Sequence, residues 1–157
     1  MIKNYHVTGI EEVYPLGKYN DDAFEKTLDK VFAKGWTPLA GAIAAARKDH
    51  EATNEDITLY IVSDGEETCG GDPVAEAKKF AQEHPVGKVN VIGFQVDNKA
   101  ESQLKAVAKA GNGSYLSANT LEEMTGQMTK IWLPSDLDLV FTYLPKANWV
   151  AAHNGTG

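Results

Sequence analysis

Asp64 closes an apolar run, Ile57 to Ser63, and opens a glycine-bearing acidic loop with Glu66, Glu67, Cys69, Gly70, Gly71 and Asp72. A carboxylate at the carboxyl end of a buried strand stands where open α/β sheets gather their ligand-binding groups. Upstream, Gly35-Trp36-Thr37-Pro38-Leu39 puts a hydroxyl at the tip of a second junction that leads into a helix. Hydroxyl and carboxylate oxygens are the donors that magnesium or manganese takes, with water or a partner's carboxylate completing the shell. Each residue also has a plain structural role. Thr37 before Pro38 reads as a helix cap, and Asp64-Gly65 as a strand-ending turn. Glu66, Glu67 and Asp72 read either as a weakly cation-attracting or partner-binding edge or as solvated loop residues. Ser63 reads as a supporting group behind that edge or as a strand residue bonded to backbone.

Other chemistries find little support. The single cysteine, Cys69, excludes an internal disulfide and a cysteine-rich zinc site. No histidine lies near it in sequence to activate it. There is no Gly-x-Gly-x-x-Gly or Walker loop after the first strand and no Gly-x-Ser-x-Gly elbow. Formal net charge is −7 without a basic block, so nucleic-acid binding is not expected. No apolar run approaches the roughly 18 residues that span a bilayer. Met1 to His6 lacks the apolar core of a signal peptide, which implies a cytoplasmic protein or a fragment of a longer chain.

The elements that must position these residues alternate. At 157 residues and 43% apolar, the chain suits one globular domain, expected over 1–146 with a loose tail at 147–157. Asp21-Asp22 can cap a helix carrying Phe24, Leu28, Val31 and Phe32 on one face and stopped by Gly35. Thr37-Pro38 opens a second helix with an alanine-rich body to Arg47. Residues 57–63 are apolar enough to be covered on both faces. A helix over Pro73–Glu83, a strand over Val89–Val96, a helix over Ser102–Ala110 and a short strand over Ser114–Ser117 follow. Thr120 with Glu123 makes a capping box for a last helix through Trp132, whose apolar face is Leu121, Met124 and Met128. Residues 137–144 read as a strand, and Tyr5–Val7 with Ile10–Tyr14 as a weak hairpin. Crossovers of this length imply a parallel sheet flanked by helices. Trp149 is the tryptophan best placed to contact another chain, and Asn154-Gly155-Thr156 is a chance-level glycosylation match.

Over residues 24–128 the chain resembles a von Willebrand factor type A domain, in particular the bacterial calcium-activated-channel-like subgroup. The match rests on Gly35-Trp36-Thr37-Pro38-Leu39, Ile61-Val62-Ser63-Asp64-Gly65, Val91-Ile92-Gly93-Phe94 and Ala108-Lys109-Ala110-Gly111-Asn112-Gly113-Ser114-Tyr115. The resemblance implies a three-layer, mostly parallel Rossmann-like sheet with a metal-ion-dependent adhesion site on its upper rim. In the family an Asp-x-Ser-x-Ser loop, a threonine and an aspartate supply the ligands. Thr37 matches the threonine and Asp64 the aspartate, while nothing matches the Asp-x-Ser-x-Ser loop. About twenty residues precede the first helix, too few for the family's first β-α-β portion.

The resemblance therefore implies a truncated or modified type A fold with an incomplete site and no tightly bound cofactor. Magnesium or manganese would need the missing ligands from another chain. The expected function is a non-enzymatic protein-interaction or adhesion module with an unnamed protein partner. Losing the central strand would bare the edge of the 57–63 strand to a second copy or a partner, unless the N-terminal hairpin or the 137–144 strand fills it. The alternatives are a magnesium-dependent hydrolase acting through Asp64, and a degenerate fragment without activity.

Overall fold

The computed structural model describes residues 10–14, 20–29, 36–49, 57–131, 138–144 and 148–154. The strands are β1 (Glu11–Tyr14), β2 (Ile57–Ser63), β3 (Lys88–Phe94), β4 (Tyr115–Ala118), β5 (Asp138–Leu144) and β6 (Asn148–Asn154). The helices are α1 (Asp21–Leu28), α2 (Leu39–Asp49), α3 (Pro73–Glu83), α4 (Asn98–Ala110) and α5 (Leu121–Ile131). One sheet runs in the order β1-β5-β6-β2-β3-β4. Strands β2, β3 and β4 pair in parallel, whereas β6 pairs antiparallel to β2, and β5 and β1 continue antiparallel.

The α/β, Rossmann-like architecture holds, with its parallel part confined to three strands. Alternation along β2 and β3 decides the layers. Leu59, Ile61, Val89 and Val91 face one side and pack with Leu39 and Ile43 of α2, Phe80 of α3 and Leu104 and Val107 of α4. Val62 and Ile92 face the other side, with Ala118, Met124 and Met128. Helices thus cover both faces, which is why β2 carries no charged side chain and all of its residues but Thr58 are buried.

The tail expected to be loose is instead strand β6, seated between β5 and β2 with Val62 opposite Trp149 and Ile57 opposite Asn154. The reason is the accounting of backbone groups. A buried strand such as β2 must have its N–H and C=O groups paired on both edges, and Asn148–Asn154 supplies the second edge despite a weak strand composition. The edge expected to lie open is therefore covered within the chain, by neither of the two segments proposed for it. Residues 5–7 of the expected hairpin lie outside the described residues, and β1 pairs with β5.

Several boundaries shift for local reasons. Asn20, rather than Asp21-Asp22, caps α1, its side chain accepting the Ala23 N–H at 2.9 Å. Val31, Phe32 and Gly35 lie outside the described residues. Helix α4 begins at Asn98 because the Asp97 carboxylate accepts the Ala100 N–H at 2.8 Å. Gln95, at φ 52°, turns the chain out of β3 one residue after Phe94. Of the capping box expected for α5 one half forms, Glu123 N–H on Thr120 Oγ1 at 3.1 Å, while the Glu123 carboxylate takes the N–H of Asn119, one residue before the cap, at 2.6 Å. Leu121, expected on the apolar face of α5, is exposed.

Gly111-Asn112-Gly113 ends α4 in a Schellman motif. Gly113 N–H bonds Ala108 C=O at 2.8 Å and Asn112 N–H bonds Lys109 C=O at 3.3 Å, with Asn112 left-handed at φ 57°. Gly113 then passes directly over the Val89 backbone, where a Cβ would overlap the Val89 carbonyl oxygen. Gly113→Ala should therefore cost roughly 1–3 kcal/mol in denaturant unfolding, since backbone must move. Gly126→Ala, in exposed α5 with open space at its Cβ, should stabilise by about 0.5–1 kcal/mol.

Candidate functional site

The carboxyl ends of β2, β3 and β4 form one rim, and the loop from Asp64 to Asp72 runs along it from β2 to α3. Asp64 is exposed and Thr37 is buried, at 4% exposure. A reciprocal pair of bonds joins the two segments. Thr37 N–H donates to Thr68 Oγ1 at 2.7 Å, and Thr68 N–H donates to Thr37 C=O at 3.1 Å. Thr37 is thereby fixed against the loop that Asp64 opens.

Thr37 does not cap α2 in the expected way. Pro38 C=O accepts the first helical bond, from Ala42 N–H at 3.0 Å, so Pro38 stands in the cap position and Thr37 one residue outside. Proline offers no capping side chain, and Glu67 supplies the missing acceptor. Its carboxylate takes the Ala40 N–H at 2.6 Å through one oxygen and the Cys69 N–H at 2.7 Å through the other. A carboxylate at a helix N-terminus satisfies an orphan donor and opposes the helix dipole.

The other loop acids also have partners within the chain. Glu66 pairs with Lys99 of α4 at 2.7 Å. Asp72 caps α3, accepting the Ala75 N–H at 3.0 Å ahead of Pro73 at the first helical position. Glu67 N–H donates to Gln103 of α4 at 2.8 Å. Ser63, fully buried, donates its hydroxyl to Gly65 C=O at 2.7 Å and braces the Asp64-Gly65 turn. Sequence reasoning missed Glu67 as the α2 cap because its partner is 27 positions away. Only the proline at the cap position hinted that an acceptor had to come from elsewhere.

Between α2 and α3 lies an open cleft of about 450 Å³, lined by Ala40, Ala44, Glu67, Gly70, Gly71 and Lys79 among others. Gly71 passes close over Ala40, where a Cβ would overlap the Ala40 methyl. Burial, and next the Glu67 charge, push the Cys69 thiol above its ordinary pKa. That is the wrong direction for a nucleophile. Among the described residues no cluster of three or more His, Cys, Asp or Glu side chains is placed to hold a metal. One exposed carboxylate and one buried neutral hydroxyl are a poor donor set for magnesium, which dehydrates reluctantly. Among the described residues no helix is long and apolar enough to cross a membrane.

No family model matches the chain. It is similar to the uncharacterized protein YwmD of Bacillus subtilis (strain 168), 43% identical over 115 residues, covering 72% of this chain and 51% of YwmD. It is also similar to the uncharacterized protein YwmC of the same organism, 36% identical over 118 residues, covering 73% of this chain and 51% of YwmC. The chain thus spans about half the length of the curated relatives it matches. Among solved structures, the crystal structure of the conserved hypothetical protein BatB from Bacteroides thetaiotaomicron superposes with a TM-score of 0.55 at 17% identity, covering 69% of this chain and 66% of that one. That likeness shows a shared α/β fold.

The cap at Asp72 gives a direct test. Asp72→Ala should lower stability by about 1 kcal/mol, measured by denaturant unfolding, and Asp72→Asn or Asp72→Ser should recover most of it. The raised Cys69 thiol should make its alkylation by iodoacetamide at pH 7–8 slower than that of an unstructured cysteine peptide.

Proposed function

We propose that this chain is a non-enzymatic protein-interaction module of type A ancestry whose metal-ion-dependent adhesion site is incomplete. It engages a protein partner at the rim around Thr37, Asp64 and the 65–72 loop. The observation that carries the reading is the reciprocal Thr37–Thr68 bonding, which holds the segment matching the family's threonine against the loop opened by the family's aspartate. The rim is also where ligands meet open α/β sheets. A non-enzymatic role is favoured by the chemistry present: the Cys69 thiol is shifted away from thiolate, and Glu67 and Asp72 are bound to helix-terminal N–H groups. Magnesium or manganese would enter only with oxygen ligands from another chain.

Melting temperature against magnesium or manganese tests the incomplete site, because a ligand of the native state must raise stability. The chain alone should show no rise at millimolar metal. A rise of several degrees that Thr37→Ala and Asp64→Ala both abolish would mean the site is self-sufficient. The interaction itself is tested with the part of YwmD outside the matched 115 residues, supplied as a separate polypeptide. It should co-elute with this chain, and Asp64→Ala should weaken the association at least several-fold. Magnesium-dependent turnover lost in Asp64→Asn would instead establish a hydrolase.

A further inference from the structure

We propose that Glu67 is a latch that fixes the rim loop against the first turn of α2. Both carboxylate oxygens are committed to backbone donors on different segments, Ala40 of α2 and Cys69 of the loop itself. The same residue's N–H is taken by Gln103 of α4. Glu67 is therefore the point where α2, α4 and the loop meet. Other ties of the loop include the Thr37–Thr68 pair, the Asp72 cap on α3 and the exposed Glu66–Lys99 ion pair. An exposed ion pair contributes little, whereas a bond from backbone to a part-buried carboxylate is among the stronger kinds. The loop also carries Gly70 at φ 81°, a conformation that other residues resist. Closed, the latch occupies the Ala40 donor and forms one wall of the α2–α3 cleft. Opened, it frees that donor and lets the loop reshape against a partner.

As a device regulating the rim, the latch rests on the interaction reading above, but its test needs no partner, so the two fail separately. Amide exchange and Cys69 alkylation are measured on the full chain as wild type, Glu67→Ala and Glu67→Gln. In Glu67→Ala, exchange at Ala40 and Cys69 should accelerate about tenfold or more, the scale of losing a charge-assisted bond, while amides of β2 and β3 keep their protection. In Glu67→Gln the amide oxygen can still accept but its NH2 cannot, so one of the two sites should stay protected. Alkylation of Cys69 should quicken several-fold in both variants, because both remove the neighbouring charge. Unchanged exchange at Ala40 and Cys69 in Glu67→Ala would overturn the latch. So would acceleration in β2 and β3 equal to that in the loop, since Glu67 would then support the whole domain rather than the loop.

Discussion

The edges of β2 constrain everything else in this fold. The strand is buried on both faces, with Leu59 and Ile61 inaccessible to solvent, so neither of its edges can leave backbone groups to water. One edge is met by β3 in parallel and the other by β6 antiparallel. A parallel neighbour is delivered by the α3 crossover. The antiparallel one arrives at the end of the chain, after β5, and so brings with it a meander of β6, β5 and β1 that extends the sheet. The mixed character of the sheet follows from that one requirement.

Pairing on both edges also fixes where the rim lies. β6 runs antiparallel, so its first residues, Asn148 and Trp149, stand beside the carboxyl end of β2, where Val62 pairs with Trp149. The loop opened by Asp64 is thus bordered by β6 on one side and by the exit of β3 on the other. The helices then complete the loop's surroundings: α2 offers the Ala40 N–H, α3 is capped by Asp72 and α4 contributes Lys99 and Gln103. The acidity of the loop is mostly structural. Glu67 and Asp72 answer donors that the α/β arrangement creates at helix starts, as the dipole and the orphan N–H groups require, and Glu66 pairs with Lys99.

What the sequence revealed follows how local each cause is. Helix α3 was legible in its bounds, because Asp72 and Pro73 act within the first turn. Of the inward positions expected, Val74, Ala77 and Ala81, only Ala77 is fully buried, and Phe80 takes the core position instead. The strands β2 and β3 were legible from their apolar content, and the end of α4 from Gly111-Asn112-Gly113. β6 was not, since Asn-Trp-Val-Ala-Ala-His-Asn has little strand preference of its own and pairs because β2 has an unmet edge. Glu67 was read as an edge charge open to a partner or solvent, and its role is set by Ala40, distant in sequence. Thr37 and Asp64 were placed on one rim by motif alone. The difference in their exposure could not be read from a linear pattern.

That difference bears directly on what the rim can do. A cation shared between the two residues needs both oxygens open to the same solvent-filled space, and here the hydroxyl residue is buried while the carboxylate residue is exposed. Thr37 is held by backbone bonds at both its N–H and its C=O to Thr68, so moving its backbone outward means breaking that pair. Two bonds in a part-buried setting cost roughly 1–3 kcal/mol to give up. A weakly held magnesium ion, with most of its water retained, has little interaction energy to offset this. The protein partner proposed above would, because its contacts would spread over many residues and need only the surface that Asp64 and the loop already present. On these energetic grounds the rim, as Thr37 and Asp64 stand in it, is a poor site for a free cation, which is why the interaction proposed above is with a polypeptide.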